Sequence, residues 1–173
     1  MEEVILVSPQ DEEIGYMEKM EAHQLGLLHR AFSVFLFNSK GEMLLQKRAI
    51  SKYHSGGLWT NACCSHPRKA ETIEQAASRR TREELGCEPE LQKIHSFIYK
   101  AALDNNLTEH EFDHVLFGNY EGEMNLNVDE VSEIVYLPIQ QIRQAMNEQP
   151  EMFTVWFKII FEEVISIIQL RAL

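Results

Sequence analysis

Thr72 to Leu85 is a helix whose two ends are written in its own residues. Thr72 is followed three positions later by Gln75, a capping box, and Gly86 supplies the stop. That helix lies among runs of a different period. His29 to Phe37 (HRAFSVFLF) alternates and is rich in aromatic and branched side chains, so it reads as a strand. Asn38-Ser39-Lys40-Gly41 is then a hairpin turn, and Glu42 to Arg48 the returning strand. Val4 to Val7 is a short strand ahead of a turn at Ser8 to Gln10. The chain loops at Gly56-Gly57, and Leu58 to Cys63 looks extended. Ile94 to Ala101 and Glu111 to Tyr120 are further strands. Pro138 to Asn147 is a short helix with Ile139, Ile142 and Met146 on one side, and Phe153 to Leu170 a helix whose broad apolar face packs on the sheet. Strands and helices mix without regular alternation, which predicts an α+β fold. No linker or repeat divides the chain, so residues 1–173 are expected to form a single domain.

Charge narrows the function classes. Sixteen Lys and Arg against 27 Asp and Glu leave a net charge of −11. No basic field covers the molecule, which speaks against nucleic acid or a membrane surface as partner. Three cysteines, two of them adjacent at Cys63 and Cys64, lack a disulfide-like spacing, so a reduced, cytoplasmic setting is expected. The amino-terminal apolar run is too short for a signal peptide. Lys158, Glu162 and Glu163 interrupt the apolar terminal segment too early for a spanning helix.

Several residues could carry chemistry. His23, His29, His66, Glu109 and Glu111 come from separate stretches, and Glu109 and Glu111 would share one side of a strand. Imidazoles and carboxylates without a CxxC pair suit a six-coordinate ion such as Mg²⁺ or Mn²⁺. By residue type alone, surface or core histidines are the commoner outcome. On the helix, Glu83 and Glu84 could serve a Mg²⁺–diphosphate platform, or simply pair with Arg79 and Arg80 as i,i+4 ion pairs.

The run from Ser65 to Cys87 resembles a Nudix box, matching at Glu71, Arg79, Glu83, Glu84 and Gly86. It departs at Ser65, where the box has Gly, and at Arg80, where it has its first helix Glu. The flanking LHRAFSVFLFNSKGEMLLQKRAISKYHS, GLWTNACCSHP, RRTREELG, FIYKA, TEHE and FTVWF segments resemble the metal-dependent (type 1) isopentenyl-diphosphate isomerases over almost the whole chain. The resemblance implies a Nudix-like α/β/α sandwich with a mixed central sheet, an added N-terminal segment and a C-terminal helix. It also implies interconversion of isopentenyl and dimethylallyl diphosphate through a tertiary carbocation, which needs an acid, a base and exclusion of water.

By the same resemblance, Cys64 handles one proton, and Glu111 with Tyr99 the other. Lys19, Arg48, Lys52 and Arg80 contact the diphosphate, and Trp156 faces the cation. His23, His29, His66, Glu109 and Glu111 hold the first metal, which is Mg²⁺, Mn²⁺ or Zn²⁺. Glu84 and the Cys64 carbonyl hold a second ion, Mg²⁺. Arg80 becomes a phosphate clamp where a hydrolase would keep a metal ligand. The implied partner is a small diphosphate, and the implied state a monomer or weak homodimer. Two rivals are a Nudix hydrolase and a metal- or ligand-binding module that kept the fold. The residue pair Cys64 and Glu111 has no obvious use in either.

Overall fold

In the computed structural model, which describes residues 2–171, one nine-stranded mixed sheet carries helices on both sides. The strands are β1 (Glu3–Val7), β2 (Glu13–Glu18), β3 (His29–Phe37), β4 (Met43–Arg48), β5 (Trp59–Thr60), β6 (Cys63–Ser65), β7 (Gln92–Ala102), β8 (Thr108–Asn119) and β9 (Val131–Leu137). The helices are α1 (Lys19–Leu25), α2 (Ile73–Leu85), α3 (Ile139–Glu148) and α4 (Val155–Arg171). The α+β expectation holds, and the sheet does not close into a barrel.

Strand β3 is the hub. Eight of its nine residues, all but Arg30, are buried, as expected of a strand with neighbours on all sides. Along one edge it pairs in parallel with β8 from His29↔Glu111 to Phe37↔Asn119. Its other edge is shared: Leu6 of β1 faces His29, β6 takes Phe32 to Val34, and Met43 of β4 faces Phe37. The hairpin turn at Asn38–Gly41 forms as expected, closed by Asn38 N–H to Glu42 O and Gly41 N–H to Asn38 O. Yet β3 and β4 diverge after it, and the long partner of β4 is β9.

Alternation along these strands feeds two cores. On one face Phe35, Phe37, Tyr99 and Val115 pack under α4 through Trp156, Phe157, Ile160, Phe161 and Val164, with Ile142 of α3 beside them. On the other face Phe32, Val34, Leu36 and Leu116 pack under α2 through Ala76, Ala77 and Leu85. Cys63 belongs to the second core and Cys64 packs against the first, the opposition that extended backbone imposes on neighbours.

The capping box at Thr72 and Gln75 is formed in both directions, and Gly86 ends α2 with φ +67°. Asn125 crowds that glycine, its backbone O lying 2.5 Å from where a Cβ would stand, so a side chain there is excluded twice over. The stretch read as extended from Leu58 to Cys63 is two short strands broken at Asn61-Ala62. The terminal helix starts at Val155, after Phe153 bridges to Trp59. β2, α1 and β9 are additions to what the sequence patterns delimit.

Candidate active site

Strands β3, β4, β6 and β8, helices α1, α2 and α4, and the loop after Arg48 converge on one cleft. It is lined by Lys19, Arg48, Lys52, Cys64, His66, Arg80, Glu84, Tyr99, Glu109, Glu111 and Trp156. His23 and His29 lie directly behind it, fully buried. Every residue proposed from the sequence is therefore gathered at one place.

Three imidazoles and a carboxylate form its floor. His23, His29, His66 and Glu111 offer donor atoms that all lie within 4.8 Å of one another. The ring centroids of His29 stand 4.8 Å from His23 and 5.0 Å from His66. Backbone carbonyls orient two of these rings. His23 Nδ1 lies 2.7 Å from Lys19 O, and His29 Nδ1 2.8 Å from Leu27 O. A carbonyl only accepts, so each Nδ1 carries the hydrogen and each Nε2 is turned inward. His23 Nε2, His29 Nε2 and Glu109 Oε2 are buried without a hydrogen-bond partner. His23 Nε2 stops 3.5 Å from Glu109, and His29 Nε2 3.6 Å from Glu111. His66 Nε2 is closer to Glu111 Oε1, at 2.9 Å. Orphaned inward donors of nitrogen and oxygen type suit a divalent cation, which would satisfy them together.

Electrostatics agree with that arrangement. Burial and the neighbouring Glu111 charge push the Glu109 carboxyl up. Burial also opposes ionisation of Glu111, but the adjacent His29 imidazole and the Tyr99 hydroxyl outweigh it and hold that carboxyl low. Burial drives His66 well below the usual imidazole range, helped by Lys19. At His23 the same burial is outweighed by Glu109, and the net shift is upward.

Beside the floor stand the two groups suited to proton transfer. Tyr99 OH donates to Glu111 Oε2 at 2.7 Å, across the β7–β8 pair that aligns Tyr99 with Glu111. Burial, with the Glu111 charge, raises the Tyr99 hydroxyl well above its ordinary value, so it remains a donor. Cys64, on β6, sits opposite Ser33. Burial, with Asp113 nearby, pushes its thiol up to about 12. Cys64 and Glu111 thus lie on the two strands flanking β3, about 10 Å apart laterally at two strand spacings.

The rim carries the cations, and most are already paired. Lys19 meets Glu2 at 3.2 Å, and Lys52 meets Glu130. Arg80 pairs with Glu84 at 2.5 Å, Glu83 at 2.8 Å and Glu130 at 3.4 Å. The alternative of i,i+4 ion pairs on α2 is therefore realised too, with Arg79 meeting Glu83 at 3.3 Å. Arg79 is chiefly structural, gripping Glu71 through Nε at 2.7 Å and Nη2 at 2.9 Å. Arg48 lies over the Trp156 ring at 5.3 Å and donates to His54 O at 3.3 Å. Glu84 has its second oxygen held by Gln46 at 3.2 Å, on a helix packed against β6.

Six residues of the site escaped the sequence reading. His54 is buried, stands edge-on to Trp156 at 5.7 Å and places Nε2 3.6 Å from Glu109. Ser33 donates to Asp113 Oδ2 at 2.7 Å and lies 3.5 Å from the Cys64 sulfur. Asn61, Gln46 and Glu130 complete the set. The hydrophobic strand patterns that house Ser33, Gln46 and Asp113 were visible, but a polar residue inside such a pattern was the signal left unused.

Comparison with known proteins follows the same lines. Residues 27–157 match the NUDIX domain. An isopentenyl-diphosphate Delta-isomerase 2 of Photorhabdus laumondii is 51% identical over 159 residues, covering 91% of this chain and 90% of that protein. An isopentenyl-diphosphate Delta-isomerase of Serratia proteamaculans is 48% identical, covering 94% of this chain and 91% of that protein. Among solved structures, a Deinococcus radiodurans protein aligns with a TM-score of 0.71 at 21% identity, over 86% of this chain and 90% of its own. MutT of Methanosarcina mazei aligns at 0.64 and 17% identity, over 79% and 91%. These two share the fold.

Proposed function

The chain belongs to the NUDIX-domain isopentenyl-diphosphate Delta-isomerases, and from that premise we propose which of its residues carry the reaction. It interconverts isopentenyl and dimethylallyl diphosphate, adding a proton at the terminal methylene and removing another from the neighbouring methylene by way of a tertiary carbocation. In our reading Cys64 exchanges one of these protons, and Glu111 with Tyr99 the other. The observation that carries this reading is the pair of strands flanking β3, one bearing a protonated thiol and the other a carboxylate tied to a tyrosine hydroxyl, both facing one cleft. Two oriented groups on a rigid sheet are what proton transfer to an unactivated alkene requires.

Trp156 lies near the developing cation, where an aromatic face is worth about 2 kcal/mol once water is excluded. Its burial, with Arg48 and His54 packed on it, leaves little room for water to trap the carbocation. Lys19, Arg48, Lys52 and Arg80 bind the diphosphate, so that substrate displaces the carboxylates now paired with three of them.

The enzyme is metal-dependent. We assign the first ion, Mg²⁺ or Mn²⁺ with Zn²⁺ as a competitor, to His23, His29, His66, Glu109 and Glu111. A second ion, Mg²⁺, is assigned to Glu84 and the Cys64 carbonyl. Bound there, the ions supply charge neutralisation for the carboxylates and the diphosphate. We read residues 1–173 as one unit, on the support of a sheet that runs through the described residues from Glu3 to Leu137. We further read it as a cytoplasmic monomer or weak homodimer that acts on its small diphosphate without nucleic acid or membrane. The acidic charge of −11 supports a partner other than nucleic acid, and no described helix is long and apolar enough to cross a bilayer.

The test is NMR of the purified protein with isopentenyl diphosphate and Mg²⁺ in D₂O. Dimethylallyl diphosphate carrying deuterium is the expected product. Deuterated product from Cys64→Ala at the wild-type rate would overturn the role given to the thiol.

A further inference from the structure

Asn61 lies in the break between β5 and β6 and is fully buried. Both of its amide hydrogens are donated to backbone carbonyls, Val34 O at 3.0 Å and Cys63 O at 3.1 Å. Carbonyls cannot donate, so the amide has a single orientation and its Oδ1 faces the other way. There it meets two groups: the Thr60 hydroxyl at 2.9 Å and the Cys64 sulfur at 3.1 Å. An amide oxygen can only accept, which makes the thiol the donor. The thread continues outward. Thr154 donates its hydroxyl to Thr60 at 3.0 Å and its backbone N–H to Trp59 O at 3.0 Å, immediately ahead of α4, the helix that carries Trp156.

On the reading that Cys64 exchanges a proton with substrate, the geometry points to Asn61 as the positioning residue for that thiol. Its locked side-chain carbonyl holds the S–H in one rotamer and returns the sulfur to the same place after each transfer. A small, freely rotating S–H would otherwise sample three staggered wells. Polar threads satisfied throughout a dry interior fix geometry in this way. Through Thr60 and Thr154 the same thread ties the thiol to the start of the helix bearing Trp156.

The test is vibrational. Donation lowers an S–H stretching frequency, so the band lost from the Raman spectrum in Cys64→Ala should lie below the band lost in Cys87→Ala, since burial alone acts on Cys87. Asn61→Ala should raise the Cys64 band to the Cys87 position and lower kcat about 10- to 100-fold, with KM within about threefold of wild type. Thr60→Val keeps both amide clamps but removes the competing donor on Oδ1, and should move the Cys64 band further down. The inference fails if the wild-type bands of Cys64 and Cys87 coincide. It fails equally if Asn61→Ala keeps wild-type kcat, or if Thr60→Val leaves the band in place. Should Asn61→Ala not fold, the opposite shift in Thr60→Val decides. Wild-type turnover in Cys64→Ala would instead overturn the proton-exchange reading while leaving these band shifts intact.

Discussion

The floor and the rim of the cleft are both polar, yet they are prepared in opposite ways. On the floor, His23, His29 and Glu109 keep buried atoms without partners, the two imidazoles held in place from behind by backbone carbonyls. On the rim, Lys19, Lys52 and Arg80 already hold carboxylates. The floor is costly by itself, because each orphaned buried polar atom forfeits about 1–3 kcal/mol. The rim is comfortable by itself and must give up partners when an anion arrives. A guest on the floor should therefore change the stability of the protein strongly, whereas a guest on the rim should change mainly its own affinity.

The sharpest break between chemistry and binding comes at the edge of the floor. Cys64→Ala should lower kcat by about 10²–10⁴-fold, the usual range for a positioned acid or base, with metal affinity unchanged in isothermal titration calorimetry. Loss of metal affinity in that variant would mean that floor and thiol are not separate functions. On the floor itself, His23→Ala should weaken Mn²⁺ binding by at least about 10-fold. Saturating the wild-type protein with metal at about 100 times its Kd should add about 2.7 kcal/mol of stability, visible in thermal melts with and without chelator. A melt indifferent to metal would contradict the reading of the orphaned atoms.

Acid should act first through two buried imidazoles, His54 in the wall of the cleft and His114 beside Asp11. Burial lowers His54 to about 3, with Arg48 adding to it, and burial with Lys93 lowers His114 to about 4. The unfolded chain takes up these protons near pH 6.5, so across the window from 6.5 down to 3–4 it binds more protons than the folded protein. The contribution of these two groups to stability is therefore greatest above pH 6.5 and falls as the pH falls, by roughly 2 kcal/mol at pH 5 from His54 alone. His23, shifted upward, contributes with the opposite sign. His54→Phe should flatten the denaturation midpoint across that range. The smallest effect is expected on the rim. Glu130→Gln removes the carboxylate shared by Lys52 and Arg80, and should lower KM a few-fold with kcat little changed, the pattern of a ground-state binding term. A raised KM would show that Glu130 organises the rim instead of competing with substrate.

Sequence patterns carried the strands that alternate cleanly, as in His29–Phe37, and the helix with its cap and glycine stop at Thr72–Gly86. They did not carry β2 or α1. Glu13–Glu18 is half-exposed to exposed with no deeply buried residue, and α1 has only seven residues. Neither leaves a periodic signature; β2 is fixed by its pairing with β1, and α1 by packing on β8, β2 and β1. The same divide runs through the site. His66, Cys64, Glu109 and Glu111 sit in compact segments whose spacing is itself a signal. Ser33 and Asp113 are 80 positions apart and meet only because β3 and β8 are register partners. Asn61 looked like any residue of an extended stretch, and its role depends on a break in the strand that local propensity does not encode.

Because Cys64 and Glu111 hang on opposite edges of one strand, the gap between them is set like the jaws of a caliper whose beam is β3. Sliding either outer strand by one residue would shift its jaw about 3.4 Å and turn its side chain to the other face. The jaws therefore have no intermediate setting. Any remodelling of this scaffold for a longer or bulkier allylic chain has to be sought in the loop from Ala49 to Gly57 and in the first turn of α4, the parts of the wall that can move without unzipping the sheet.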